Sequence, residues 1–271
     1  MEQPYAIEML NITKRFPGIV ANDNITLQLK RGEIHALLGE NGAGKSTLMK
    51  ILNGIYRPDA GQILLNGEEV KFQNPNDALH KGLAMIHQEL SAFRALSVSA
   101  NMFMNREFKR GIVIDETRMN TETAKVLSDL GIKIDPKTKM EKLSVAEMQL
   151  VEIAKAVSTD ADIIIMDEPT SALTEAEVSH LYKTVRDLRA RGKSIIYISH
   201  KIEEIFSIAD EITVLRDGCF VAHDTVEKLD KDKLISLMVG RTLSQQYHKT
   251  SHGFGDVVLR VEGLSLSLIH I

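Results

Sequence analysis

A glycine-rich run that ends in a lysine and two hydroxyl residues is the part of the chain best suited to chemistry. It reads Gly39, Glu40, Asn41, Gly42, Ala43, Gly44, Lys45, Ser46 and Thr47. An apolar run at 34–38 precedes it and a helix-like run at 48–52 follows it, so the pattern G-x-x-x-x-G-K-S joins a strand to a helix. Backbone N–H groups in such a loop and the helix N-terminus bind phosphate. We therefore predict a nucleoside triphosphate site.

Single residues of this phosphate loop (residues 39–47) have distinct expected roles. The glycines allow positive φ and let the backbone approach phosphate oxygens without a Cβ in the way. We expect Lys45 to reach the β- and γ-phosphates and the Ser46 hydroxyl to ligate Mg²⁺. The structural alternative is a plain glycine-rich turn, which the Lys-Ser pair in register after a strand disfavours.

Two consecutive carboxylates end a second apolar run, at residues 163–166. Asp167 and Glu168 follow four apolar residues, which predicts a central strand whose C-terminal end lies beside the phosphate loop. The alternative is an exposed acidic strand end. In the first arrangement Asp167 can hold Mg²⁺ through water and Ser46, and Glu168 can polarise the water that attacks the γ-phosphate.

Two further polar residues end predicted strands. His200 follows the strand expected at 194–198, where we expect a γ-phosphate contact, although a lone histidine is more often structural. Gln88 follows the strand expected at 83–86, and its amide can touch both Mg²⁺ and the attacking water. With Glu168, these two residues make up the predicted catalytic set.

Hydrophobic periodicity predicts an α/β fold. Alternation predicts strands at 5–12 and 25–29, which flank a loop at 14–18. Further strands are expected at 62–65, 83–86, 163–166, 194–198, 211–215 and 219–222. Helical spacing predicts an insertion from about residue 90 to residue 157, and helices at 76–81, 123–130, 174–191 and 231–239.

Composition limits the class of protein. The net charge of -4, the aromatic fraction of 5% and the absence of Trp argue against a nucleic-acid surface. Cys219 is the single cysteine, which excludes a disulfide framework and a thiolate metal cluster. Neither a secretion signal nor an apolar run of about 20 residues is found. We expect a cytoplasmic protein that reaches a membrane through a partner.

The motifs together resemble the ATP-binding cassette (ABC) ATPases over nearly the whole chain. The matching segments are the Walker A loop at 39–47, a Q-loop at Gln88, a signature segment at 143–147, Walker B with Glu168, a D-loop at 171–174 and the switch His200. The resemblance implies a P-loop NTPase fold with a mixed core sheet, an antiparallel β subdomain and a helical subdomain. It implies ATP and Mg²⁺ as cofactors. It also implies that Phe16 stacks on adenine, although a core position is the default for phenylalanine.

The signature segment departs from the usual Leu-Ser-Gly-Gly-Gln of that family. Val145, Ala146 and Glu147 replace its last three residues. Valine lacks the backbone freedom of glycine, and Glu147 brings a negative charge near phosphate. Ser144 and Glu147 also have the spacing of a helix capping box. We expect an intact cap and a weakened phosphate contact.

This variant is similar to the N-terminal half of the tandem ATP-binding subunits of simple-sugar importers, the ribose/galactose/arabinose/xylose group. The pattern at 258–265 resembles that at 7–13, as if a second copy of the domain began there. The expected organisation is a nucleotide-binding domain at 1–241 with a helical subdomain at about 90–157. A linker at 242–256 and the truncated start of a second ABC domain at 257–271 follow.

The resemblance implies an ATPase that powers sugar import from the cytoplasmic face of the inner membrane. The two halves of such subunits face each other head to tail, so this half supplies the intact Walker side of one hydrolytic site. The implied partners are membrane permease subunits, on which residues 97–105 dock, the second ABC domain and, indirectly, a periplasmic sugar-binding protein. No nucleic-acid partner is expected.

Other interpretations stay open. A soluble cassette ATPase acting on the ribosome or another macromolecule would normally carry long charged inserts, and none is found. A GTPase would need an N-K-x-D guanine reader, which is absent, and a P-loop kinase would need an acceptor pocket and lid arginines. A regulatory, non-catalytic half fits residues 145–147, but Glu168 argues against it.

Overall fold

The computed structural model describes residues 5–87, 92–171, 173–240 and 259–263. The strands are β1 (Tyr5–Phe16), β2 (Ile19–Lys30), β3 (Ile34–Leu38), β4 (Ala60–Leu65), β5 (Glu68–Glu69), β6 (Leu83–Ile86), β7 (Lys109–Arg110), β8 (Val113–Ile114), β9 (Ile163–Asp167), β10 (Ser194–Ile198), β11 (Glu211–Arg216) and β12 (Cys219–Thr225). The helices are α1 (Lys45–Leu52), α2 (Pro75–His80), α3 (Val98–Met102), α4 (Glu116–Asp129), α5 (Val145–Val157), α6 (Glu175–Ala190), α7 (Ile202–Ile208) and α8 (Lys231–Val239). In this part of the chain no helix has the length and apolar character needed to cross a membrane.

One large mixed sheet organises these elements, in the strand order β5-β4-β1-β2-β12-β11-β3-β10-β9-β6. Neighbouring strands from β11 through β3, β10 and β9 to β6 run parallel. At the other end of the sheet, β1 pairs antiparallel with β2 and β4, and β4 pairs antiparallel with β5. The predicted fold class, a mixed core sheet with an antiparallel part and a helical part, is confirmed.

The parallel strands are apolar on both faces because helices cover both. Every residue of β3 and β10 is buried, as are the first four residues of β9. Near-continuous apolar runs are typical of such strands. Ile164 of β9 packs in one hydrophobic cluster with Val151 of α5, whereas Ile165 packs in a second cluster with Leu48 of α1. Successive side chains of β9 therefore pack against helices on opposite faces of the sheet.

Helix ends are set by the local residues that the sequence indicated. The Ser144 backbone N–H donates to Glu147 Oε2 at 2.8 Å, and the Glu147 N–H donates to Ser144 Oγ at 3.2 Å, which completes the capping box of α5. Thr174 N–H donates likewise to a carboxylate oxygen of Glu177 at the start of α6. After α4, Gly131 has φ 69°, the left-handed conformation that ends many helices.

Three parts of the chain differ from the prediction. The prediction of a loop at 14–18 is wrong, because β1 continues to Phe16. Only Pro17 and Gly18 form the turn between β1 and β2. The insertion expected to be helical also holds the hairpin β7–β8, whose two-residue strands are too short to give a periodic signal. Helix α7, with seven residues, was not predicted for the same reason.

The predicted linker at 242–256 lies outside the described residues, as does most of the segment 257–271. Within it, residues 259–263 form neither helix nor strand. The domain boundaries inferred from the sequence therefore stay predictions.

A polar cluster joins β3, β11 and β12. His35 is buried and its Nδ1 lies 2.7 Å from Glu33 Oε1. Glu211 pairs with His223, at 2.9 Å to Nε2, and with Lys30. Although ligand atoms of His35, Glu211 and His223 lie within 4.8 Å of one another, each side chain already has a protein partner. The Lys30 ammonium opposes a further cation there, so we assign the cluster to strand cohesion.

We predict that Ile165→Ala lowers the free energy of unfolding by about 2–5 kcal/mol, because the side chain is fully buried in the central sheet. Ile112 is 100% exposed, and Ile112→Ala is the matched control, expected to change stability by no more than about 0.5 kcal/mol. Urea unfolding followed by circular dichroism measures both. Equal effects of the two substitutions would contradict the assignment of β9 to the core.

Candidate nucleotide site

The register of three neighbouring strands brings the predicted site residues together. Leu37 of β3 lies opposite Ile198 of β10, and Ile198 lies opposite Asp167 of β9. All three strands are parallel, so their carboxyl ends open on the same edge of the sheet. The phosphate loop starts one residue after the end of β3. Glu168 directly follows β9, and His200 lies two residues after β10, so all three are at that edge. Open parallel sheets bind ligands at this position.

Two glycines of the phosphate loop are required by close backbone contacts. Gly39 has φ 153°, and a Cβ there would lie 2.4 Å from the carbonyl oxygen of Leu215. Gly44 has φ 97°, and a Cβ there would lie 2.5 Å from the carbonyl oxygen of Ala21. Contacts this short do not occur for real side chains, so the loop keeps this path only with glycine at both positions.

Helix α1 starts within the phosphate loop, at Lys45, without a side-chain cap. Its N-cap residue Gly44 has the left-handed conformation and no side chain to accept a hydrogen bond from the first turn. The first amide groups of α1 therefore face the loop region with the positive end of the helix dipole. This arrangement suits a phosphate group.

Lys45 is buried among the backbone of its own loop. Its Nζ donates to the carbonyl oxygen of Gly39 at 2.7 Å and to that of Glu40 at 3.0 Å. Burial lowers the pKa of Lys45, while the charges of Glu168 and Asp167 act in the opposite direction. The ammonium is thus positioned beside two carboxylates in a partly desolvated place, where its attraction for anions is strengthened.

The remaining predicted residues of the loop differ in exposure. Ala43 is buried and Thr47 is half-buried, whereas Asn41, Gly42 and Ser46 are exposed. The exposed Ser46 hydroxyl at the start of α1 and the half-buried Asp167 carboxylate are oxygen donors of the kind that Mg²⁺ prefers.

Asp167 ends β9, and Glu168 immediately leaves the strand. Burial raises the pKa of Asp167 and the neighbouring Glu168 carboxylate raises it further, whereas His87, Lys45 and Lys50 pull it down. The Glu168 backbone has φ 47°, a left-handed conformation that costs on the order of 1–3 kcal/mol for a residue with a Cβ. Strain of this kind is typical of functional sites.

Glu168 and His200 form a direct pair. His200 Nδ1 lies 3.1 Å from Glu168 Oε1, and the Glu168 backbone N–H donates to the carbonyl oxygen of Ile198 at 3.0 Å. The His200 side chain is 55% exposed and the Glu168 side chain 14% exposed, so the histidine faces solvent and the carboxylate lies beneath it. The ends of β9 and β10 thus lie side by side, as the sequence predicts.

An open cleft of about 740 Å³ connects these groups. Its lining residues are Gly39, Glu40, Asn41, Glu168, His200 and Met238. Met238 belongs to the apolar face of α8, and nothing in the sequence pattern marks it as a site residue. Glu40 lies in the predicted phosphate loop but had no predicted role, because its bond to Lys45 is made by the backbone carbonyl oxygen.

The profile of the ABC transporter family matches residues 22–171, a segment that includes the phosphate loop and Glu168. The chain belongs to the ABC transporter family. Curated relatives support this membership along the rest of the chain.

Two relatives of this ABC protein are named galactose/methyl galactoside import ATP-binding protein MglA. That of Clostridium perfringens is 52% identical over 259 residues, which cover 96% of this chain and 50% of the relative. That of Sodalis glossinidius is 50% identical over 261 residues, covering 96% of this chain and 52% of the relative. The chain spans about half the length of the curated relatives it matches.

Solved ABC cassettes have the same fold. An ATP-binding cassette of an ABC transporter in its ADP conformation superposes with a TM-score of 0.77 at 24% identity, covering 88% of this chain and 99% of that chain. A nucleotide-free ATP-binding cassette gives a TM-score of 0.76 at 22% identity, covering 87% and 95%. The fold of this ABC protein is therefore that of a nucleotide-binding cassette.

The predicted roles of Gln88 and Phe16 stay predictions. Gln88 lies outside the described residues, as does Ala172 of the predicted D-loop. Phe16 lies half-buried at the end of β1, where its ring packs edge-on to Tyr56 with centroids 5.3 Å apart. Lys14 Nζ lies 5.5 Å from the centre of the same ring.

We predict that Asp167→Asn raises the free energy of unfolding of the nucleotide-free protein near neutral pH. The raised pKa means that folding disfavours the charged carboxylate. This cost is complete above the raised pKa and disappears below the ordinary pKa of aspartate. The stabilisation of Asp167→Asn relative to wild type therefore becomes smaller as the pH falls. Urea unfolding with a chelator present, repeated as the pH is lowered, measures it. Exposed Asp187 supplies the control, Asp187→Asn, and an equal gain there would contradict the prediction.

Proposed function

We propose that the chain is the ATP-hydrolysing, N-terminal half of a subunit that powers the import of a simple sugar. The observation that carries the proposal is the pairing of Glu168 with His200 at a cleft that is also lined by Gly39 and Glu40, whose carbonyl oxygens bind Lys45. The import role and the sugar class come from the names of relatives that are 52% and 50% identical to this chain.

In this proposal the phosphate loop binds ATP through its backbone amides and Lys45. The ammonium leaves the carbonyl oxygens of Gly39 and Glu40 for the β- and γ-phosphates, which compensate its burial better than neutral oxygens. Phe16 stacks on adenine, and the remaining loop residues shape the path of the backbone around the phosphates.

Glu168 then acts as the general base for hydrolysis. Its carboxylate takes a proton from the attacking water, whose oxygen bonds to the γ-phosphorus as the bond to the bridging oxygen of ADP breaks. His200 holds Glu168 through the bond of Nδ1 and presents its exposed edge to the γ-phosphate. Gln88 completes the catalytic set.

Mg²⁺ is the proposed metal, and Ser46, Asp167 and Gln88 are the residues that would hold it. When bound, it neutralises charge on the β- and γ-phosphate oxygens. The donors of Ser46 and Asp167 are hard oxygens, as this ion requires.

The altered signature segment indicates that the two sites of the full subunit differ. Glu147 is engaged by the Ser144 backbone, and Val145 is 42% exposed at the start of α5. Compared with the usual glycine, valine has less backbone freedom and places a Cβ where a phosphate would approach the backbone. We propose that this half contributes intact Walker residues to one site and a weak signature to the other, the second ABC domain supplying the remainder.

The proposed partners are membrane permease subunits, reached through the helical part that includes α3. Peripheral attachment at the cytoplasmic face of the inner membrane follows from such docking. A periplasmic sugar-binding protein would act on the permease and touch this chain only indirectly.

We expect Glu168→Gln to keep ATP affinity within about twofold and to lower turnover by about 10²–10⁴-fold, the usual contribution of a general base. Phosphate release measures turnover, and fluorescence titration with an ATP analogue measures affinity, both in the full-length subunit. Exposed Glu116→Gln on α4 is the matched control, with turnover unchanged. Surviving turnover in Glu168→Gln would reject this residue as the base.

The import role has its own measurement. The full-length subunit, expressed with its neighbouring permease genes, should co-purify with permease subunits from detergent-solubilised membranes. Its turnover should rise when sugar and the periplasmic sugar-binding protein are added. Co-purification with ribosomes in place of permease would favour a soluble cassette ATPase.

A further inference from the structure

A buried carboxylate outside the cleft binds both loops that carry the catalytic pair. Glu204 of α7 is 4% exposed. Its Oε1 accepts a hydrogen bond from Thr170 Oγ1 at 2.5 Å and lies 3.3 Å from Lys201 Nζ. Its Oε2 accepts from Ser199 Oγ at 2.9 Å and from Tyr197 OH at 3.0 Å. Three hydrogen bonds and one ion pair thus satisfy both oxygens of this carboxylate.

These donors belong to different parts of the site. Thr170 lies in the base loop (residues 168–171), two residues after Glu168. Ser199 and Lys201 lie in the switch loop (residues 199–201), on either side of His200. Glu204 therefore connects, through one side chain, the two loops whose separation sets the distance between the base and the histidine.

Additional bonds make the connection rigid. Ser199 Oγ also accepts from the Lys201 backbone N–H at 3.0 Å, which fixes the turn of the switch loop. Lys201 Nζ reaches the Thr170 carbonyl oxygen at 3.4 Å, a second link between the loops. Tyr197 lies within β10, and its hydroxyl contacts both Glu204 and the Thr170 side chain of the base loop.

Burial and the nearby Glu204 carboxylate raise the pKa of the Tyr197 phenol well above its usual range. In the bonds to Glu204, the hydroxyls of Tyr197, Thr170 and Ser199 donate and the carboxylate accepts. An uncompensated carboxylate at this depth would be costly, so the bonds form as a set.

We propose that Glu204 is a positioning residue for hydrolysis, which sets the spacing of Glu168 and His200 by binding Thr170 and Ser199. None of its bonded partners belongs to the phosphate loop, so we expect its effect on the chemical step and not on ATP binding. The proposal rests on the ATPase function proposed above.

Glu204→Gln is the first test, since the amide keeps the size of the side chain but can accept through one atom only. We expect kcat in the full-length subunit to fall about 10- to 100-fold, as for a small misplacement of catalytic groups, with KM for ATP within about twofold of wild type. Glu204→Asp, which keeps the charge on a shorter side chain, should recover part of kcat. An unchanged kcat would overturn the proposal.

Two variants that each remove one hydroxyl from the carboxylate, and one that removes a buried hydroxyl elsewhere, form the matched series. Thr170→Val and Ser199→Ala detach one loop each, and we expect kcat to fall about three- to tenfold in both. Thr184 is as buried as Thr170, but its hydroxyl donates to the His180 carbonyl oxygen within α6, so kcat of Thr184→Val should stay within about twofold of wild type. If Thr184→Val lowers kcat as much as the other two, the loss of any buried hydroxyl is enough and the proposal is wrong.

Amide hydrogen exchange tests the same idea without turnover. The Glu168 N–H is bonded to the Ile198 carbonyl and the Lys201 N–H to Ser199 Oγ, whereas the Ile195 N–H is bonded to the Glu33 carbonyl in the sheet. In Glu204→Gln, exchange at Glu168 and Lys201 should rise at least about tenfold and Ile195 should not change. No rise, or an equal rise at all three, would overturn the proposal. A wild-type subunit without ATPase activity would instead contradict the proposed function, and exchange would still decide the role of Glu204.

Discussion

The burial of one ammonium group beside two carboxylates is the constraint on which the site depends. Lys45 lies out of water, held by carbonyl oxygens of its own loop, and Asp167 and Glu168 lie close enough to oppose the fall in its pKa. Such an arrangement is stable only where the backbone is fixed, and three parallel strands that end together fix it. The loop glycines, the uncapped start of α1 and the strained Glu168 backbone all lie at this same edge of the sheet.

Much of this arrangement could be predicted from the sequence because the site lies at the ends of strongly apolar strands. The runs that became β3, β9 and β10 are continuous and buried, so their carboxyl ends were recognisable, and Lys45, Glu168 and His200 followed directly. The capping boxes at Ser144 and Thr174 depend only on local spacing and were equally visible. Family resemblance added the topology, which periodicity alone does not determine.

The features that could not be predicted depend on tertiary packing. Glu204 follows another glutamate on a seven-residue helix, and nothing local distinguishes the buried carboxylate from exposed Glu203, whose side chain is 75% accessible. Met238 has the sequence context of an ordinary apolar helix residue. The positive φ of Glu168 arises where the chain leaves β9, and no residue-type rule assigns such a conformation to glutamate. Each of these depends on neighbours far along the chain.

The order of strands in the sheet has a consequence for biosynthesis. At the centre of the sheet β3 lies between β10 and β11, yet β3 ends at Leu38 while β10 and β11 begin at Ser194 and Glu211. A nascent chain emerging from the ribosome therefore exposes the apolar β3 until most of the domain has been translated. Gly39, which packs against the Leu215 carbonyl oxygen, gains this neighbour only once β11 has been translated. An apolar strand without its neighbours during synthesis is the kind of segment on which chaperones act.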